Sequence, residues 1–112
     1  MHESGIAYDI YATSKHAAEE NGAVKVKTIY VDVGSMAMVN PDQVEFMFGT
    51  FVTEDPMFAE TKLVFNTVPP VAECECGYRG SEIFVCPTCG KLPHLVQGRE
   101  ICVKNIEIDT EE

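Results

Sequence analysis

The chain has 112 residues, with 18 acidic against 8 basic side chains and a formal charge of −10. That length gives one domain, or a small domain with a smaller appendage, and a core modest enough that a metal staple for part of it is expected. The acidic surface argues against nucleic acid, whose binding draws on Lys and Arg to neutralise phosphates, and no apolar run is long enough to cross a bilayer.

Residues Met1 to about Glu20 are predicted to form a helix. Ile6, Ile10, Thr13 and Ala17 recur at helical spacing, and Ala7, Tyr11 and Ala18 widen the stripe. Asn21-Gly22 stops it, because glycine takes the left-handed conformation past a last turn. Ala23 to Val33 alternates as a strand, with Ile29, Val31 and Val33 on one face and Thr28, Tyr30 and Asp32 on the other.

Asn40-Pro41-Asp42-Gln43 starts a second helix. Asn40 caps it, Pro41 takes the first helical position, and Gln43 can reach back to the cap. Val44, Met47, Phe48 and Phe51 follow as a core-facing stripe. Glu54-Asp55-Pro56 ends that helix. Thr61 to Val68 reads as a second strand, with Leu63 and Phe65 on one side, and Pro69-Pro70 marks a hinge. Arg99 to Ile108 is the third strand. Cys102 lies in it and is expected to be a core thiol, since cysteine is among the most buried residue types.

Between the hinge and the last strand lies CECGYRGSEIFVCPTC, residues 74–89, with four of the five cysteines in two close pairs, each followed by a glycine. Four thiolates in two tight turns suit tetrahedral Zn²⁺, and a glycine after each pair lets the backbone curl so that amides face the sulfurs. Cys86 and Cys89 have the usual spacing. Cys74 and Cys76 are separated by one residue, where two or more are usual.

The opening MHESGIAYDI lacks the charged and apolar regions of a signal peptide. A reducing, cytoplasmic setting is therefore expected, in which paired cysteines are metal ligands rather than disulfides. Iron in the same cage, an electron carrier, is the competing reading. The expected fold is α+β: two helices packed on a small three-stranded sheet, with a zinc-ribbon or knuckle insert before the last strand. Residues 1–70 plus 99–112 would form one domain and 71–98 the zinc-binding one.

Met1-His2-Glu3 has chelating chemistry of its own. A terminal amine, the next amide nitrogen and an imidazole can close fused small rings around one ion, and such nitrogen donors suit Ni²⁺ or Cu²⁺. Glu3 could add a carboxylate or orient the imidazole. On composition alone, a histidine at position 2 is an ordinary solvated side chain.

The opening MHE, Val33-Gly34, Val39-Asn40-Pro41-Asp42, Val44-Glu45-Phe46-Met47-Phe48-Gly49-Thr50, Thr61-Lys62-Leu63-Val64-Phe65, Ala72-Glu73-Cys74, Cys86-Pro87-Thr88-Cys89-Gly90 and Ile106-Glu107-Ile108 together resemble the HypA/HybF family of nickel metallochaperones for hydrogenase maturation. The resemblance implies a non-enzymatic protein with a transferable Ni(II) held by Met1, His2 and Glu3. It also implies a structural Zn(II) on Cys74, Cys76, Cys86 and Cys89. Its partners would be a HypB-type GTPase and the hydrogenase large subunit, and a homodimer is admitted. Two positions depart from the family. Glu73 stands where the first thiol is expected, leaving Glu73 or water as a rival to Cys74 for the fourth donor, and Ser35 stands where an acidic residue is common. The rival function is a zinc-ribbon interaction module without nickel. His16 and His94 are expected at the surface.

Overall fold

The computed structural model describes residues 3–111. Helix α1, Glu3–Glu20, is followed by strand β1, Ala23–Gly34, helix α2, Pro41–Phe51, and a 3₁₀ turn, Pro56–Phe58. Strands β2, Lys62–Val68, β3, Val71–Glu73, β4, Arg79–Gly80, β5, His94–Gln97, and β6, Ile101–Thr110, complete the chain. Two separate sheets result, β2-β1-β6 and β4-β3-β5. In the first, β2 runs parallel and β6 antiparallel to β1. The expected α+β order is therefore present, with a second small sheet in the insert. No helix among the described residues is long and apolar enough to cross a membrane.

The main core lies between the helices and one face of the first sheet. Ile29 and Val31 are fully buried and Val33 nearly so, while Thr28, Tyr30 and Asp32 alternate to the other face. From β2, Leu63 joins this core, and α2 adds Val44 and Phe48. Asn40 caps α2 as expected, its side chain accepting from the Asp42 and Gln43 N–H groups at 3.0 and 3.3 Å. Gly22, at φ 68°, ends α1 in the left-handed region.

Of the expected α1 stripe, Ala7, Ile10 and Ala18 are buried, but Ser14 is buried as well and Thr13 is exposed. Small side chains face inward because α1 lies against both α2 and the sheet, and close approach there outweighs side-chain size. The expectation for Cys102 is also overturned. It is exposed, since Ile101 and Val103 take the inner positions of β6 and alternation turns Cys102 to the open face of the sheet opposite Asp32.

Asp55 ties α1 to the 3₁₀ turn across the sequence. Its carboxylate accepts from the Tyr11 hydroxyl at 2.7 Å and the Lys15 ammonium at 2.6 Å, and caps the 3₁₀ turn through the Met57 N–H at 3.1 Å. Burial pushes this carboxyl up, but those three donors outweigh it and hold it below its ordinary 3.8. A depressed carboxyl stabilises the fold above its unfolded value, and that contribution is lost as pH falls through the folded value. Asp55→Asn should accordingly cost about 2 kcal/mol near neutrality. In denaturation curves the gap from the parent should be complete well above the ordinary carboxyl value of about 4 and close as pH falls below it. A gap unchanged by acidification would assign the cost to packing.

The molecule is long, 57 × 28 × 16 Å, with a radius of gyration of 17.5 Å. A compact chain of this length would have one of about 13 Å. The second sheet therefore stands off from the first, and the join between them decides how it is held. Ser35 donates to the Val68 carbonyl at 2.9 Å, Met36 to Gly98 at 2.7 Å, and Gly34 to Glu100 at 2.8 Å. The Gln97 side chain donates to Pro69 at 3.1 Å. Both crossing segments are thus fastened to the end of β1, and Pro69-Pro70 is a tied joint.

Candidate metal centre

The first cysteine pair sits on the tight turn between β3 and β4. Gly77 donates to the Cys74 carbonyl at 2.9 Å and Cys74 to the Tyr78 carbonyl at 2.9 Å, with Gly77 at φ 101°. A side chain at that φ would be strained, so the glycine makes the turn. The second pair forms a matching loop, in which Gly90, at φ 76°, donates to Cys86 at 2.9 Å and Cys86 donates to Lys91 at 2.8 Å.

Face to face, the two loops bring all four sulfurs within 4.8 Å of one another. Cys74 and Cys89 approach to 3.5 Å, as do Cys76 and Cys86. A tetrahedron with metal–sulfur bonds of about 2.3 Å has sulfur–sulfur edges of about 3.8 Å, so this quartet fits one tetrahedral ion. The single-residue spacing is accommodated because the turn from Cys74 to Tyr78 closes a short hairpin. Glu73 is directed elsewhere: its carboxylate pairs with the Arg79 guanidinium, its neighbour across the strands. The alternative in which Glu73 supplies the fourth donor therefore loses its geometric support.

The thiols are not electrostatically equal. Burial works against ionising Cys86, but the Cys89 and Thr88 N–H groups and the neighbouring thiols overcome it and pull Cys86 down to about 6. At Cys76 the Tyr78 N–H favours the thiolate. The sulfurs of Cys86, Cys89 and Cys74, with burial, prevail and push it up to about 12. Four sulfurs this close cannot all ionise without a cation between them.

Among the other sequence-derived candidates, Glu3 opens α1 and is half-buried. Met1 and His2 lie outside the described residues. His94 is exposed on β5 and lines a cleft beside Cys74, Cys76 and Cys89. His16 is exposed on α1, its Nε2 2.5 Å from Glu20. Supporting residues that the sequence reading missed are Tyr78, Arg79 and Lys91. Their roles depend on which strands pair, and no local spacing marks them.

Comparison with known proteins covers the whole chain. A family model described as "HypA: Hydrogenase/urease nickel incorporation, metallochaperone, hypA" matches residues 1–108. The hydrogenase maturation factor HypA of Methanocella arvoryzae is 40% identical over 113 residues, covering 97% of this chain and 99% of the relative. That of Methanothermobacter thermautotrophicus is 36% identical over 123 residues, with both chains fully covered. Among solved structures, the nickel metallochaperone HypA from Helicobacter pylori superposes with a TM-score of 0.80, covering 99% of this chain and all of that one. At 22% identity this last likeness speaks for the fold.

Proposed function

We propose, for a chain that belongs to the HypA family of hydrogenase/urease nickel-incorporation metallochaperones, that it carries Ni(II) to the large subunit of a [NiFe]-hydrogenase. The observation that carries this reading is the family match from residue 1 onward, which includes the opening Met1-His2-Glu3. The ion would be taken by the Met1 amine, the backbone nitrogens beside it and the His2 imidazole, with Glu3 supporting. Nickel is cargo here, so its site must be open and its hold moderate.

The start of α1 suits that requirement. Glu3 is the only acidic residue in the first helical turn. A cation placed there meets the positive end of the helix dipole, which weakens binding, and the Glu3 carboxylate partly offsets this. The cysteine quartet has the opposite character. Cys74, Cys76, Cys86 and Cys89 would hold a Zn(II) ion that serves as a permanent cross-link, since four thiolates leave no open coordination position. Residues 1–70 plus 99–112 then form the nickel-handling domain and 71–98 the zinc domain. A HypB-type GTPase is the expected partner, the setting is the cytoplasm, and no catalytic step belongs to the chain itself.

Nickel titration of the untagged, zinc-loaded protein against His2→Ala tests this reading. The variant should bind more than about 100-fold more weakly, beyond what loss of a merely supporting contact costs. Equal binding would leave a zinc-ribbon interaction module as the better account. An added N-terminal tag should weaken nickel as well, because it removes the Met1 amine.

A further inference from the structure

Strand β2 has a free edge. Its only sheet neighbour among the described residues is β1. The Val68 carbonyl accepts from Ser35 on the β1 side. Backbone direction alternates along a strand, so Val64 and Asn66 also face β1 while Leu63, Phe65 and Thr67 turn their N–H and C=O groups outward. Such a row is a template for another extended chain.

Two clefts follow one another along this edge, both on the helix side of the sheet. The first, about 460 Å³, opens between Leu63 and the α2 residues Phe48, Gly49, Val52 and Thr53. The second, about 260 Å³, opens between Phe65 and Thr67 and the segment carrying Val39 and Pro41. Their wall residues on β2 are two to four positions apart, about 7–13 Å along the strand. Alternate side chains of an added strand have that spacing.

The wall formed by α2 has been left low. Gly49 lies inside the helix, where glycine is disfavoured. Its φ is not positive, and a Cβ there would meet nothing within 4 Å. Neither crowding nor backbone geometry calls for glycine, yet any larger side chain would reach into the first cleft. Large apolar groups also stand unused on the lips. Phe46, one turn before Gly49, is 68% exposed, and Met38 is 87% exposed with φ at 56°.

Charge identifies the occupant. Glu45 lines the first cleft and Asp42 follows Pro41 of the second, while neither cleft is lined by a Lys or Arg. Lys62 is the one basic residue on β2, and alternation sends its side chain to the opposite face of the sheet. Two copies, each of charge −10, would repel at this edge, whereas a basic segment is drawn to it. We propose that the β2 edge and the α2 groove receive an extended segment of a partner protein. That segment carries apolar side chains at alternate positions and Lys or Arg at its flanks, and it adds as a fourth strand to the first sheet. This site is independent of the nickel reading.

The probe is a fluorescein-labelled peptide of alternating valine and threonine with lysines at both ends, titrated into the full zinc-loaded protein. Binding should be saturable and should weaken about tenfold in Gly49→Leu, with a melting temperature no lower than the parent's. Exchanging the lysines for glutamates should weaken binding by a similar factor. N-methylation of one alternate set of peptide amides should abolish binding, and methylation of the other set should leave it unchanged, because only one set faces β2. No binding at about 1 mM peptide, or equal binding in Gly49→Leu and by both methylated peptides, would overturn the proposal. A concentration-dependent doubling of mass that Gly49→Leu abolishes would overturn it too, by giving the edge to a second copy.

Discussion

If the quartet holds the proposed zinc, Cys86→Ala is expected to release it and to unfold residues 71–98 while the first sheet and its helices persist. Within that segment the buried apolar residues are few: Ala72, Cys86 and Pro93 are buried, and none joins the main core cluster. Its strands have only three, two and four residues. Strands so short, with no hydrophobic face to bury, do not hold together unaided. A structural zinc contributes about 10–16 kcal/mol of apparent binding free energy, far more than the local packing can supply. Metal analysis should show zinc lost from the variant in the presence of a chelator. Amide exchange should show protection lost at Cys74, Gly77, Cys86 and Gly90 but kept in β1. Cys102→Ala is the control: exposed and outside the quartet, it should change stability by less than about 0.5 kcal/mol and leave zinc in place. Retention of zinc and protection in Cys86→Ala would mean that the second sheet is held by something other than the metal.

Gly34→Ala is the second large effect. A Cβ on Gly34 would lie 2.2 Å from the backbone carbon and oxygen of Gly98 and 2.7 Å from the nitrogen of Arg99. These are main-chain atoms, fixed by the bonds from Met36 to Gly98 and from Gly34 to Glu100, so no side chain can swing aside. Gly98 is itself boxed in, at φ 109° with Pro70 against it. The added methyl must pull β1 away from the segment entering β6, at a cost of about 3 kcal/mol. The melting temperature should fall by roughly 10–20 °C. Gly5→Ala, which meets nothing within 4 Å inside α1, should instead stabilise by about 0.5–1 kcal/mol. If the two variants melted alike, the close approach at the joint would not be a constraint.

Much of this molecule was legible in short stretches of sequence. Asn40-Pro41 announced α2 because a cap and a fixed φ are local requirements, and the alternation of Ile29, Val31 and Val33 fixed which face of β1 is buried. The glycines after each cysteine pair foretold two tight loops for the same reason. The role proposed for Met1-His2-Glu3 rests on resemblance to a family rather than on spacing.

Other features follow from what meets what at a distance, and there local patterns misled. Helical spacing placed Ile10, Ala7 and Ala18 in the inward stripe of α1, where they are, but it also placed Thr13 there, and close packing against two surfaces selected Ser14 instead. Composition suggested a buried Cys102, but strand alternation and the uncovered face of the sheet left it exposed. The one-residue gap between Cys74 and Cys76 left Glu73 as a rival donor, and only the folded chain showed its carboxylate paired with Arg79 and the four sulfurs within 4.8 Å of one another. The sequence alone determined the two helices, the strands of the first sheet and the two glycine-closed cysteine loops, because each depends on neighbours a few bonds away. Tertiary structure alone decided the contact between Gly34 and Gly98, the fastening of Pro69-Pro70 and the free edge of β2, because these depend on where residues tens of positions apart come to rest.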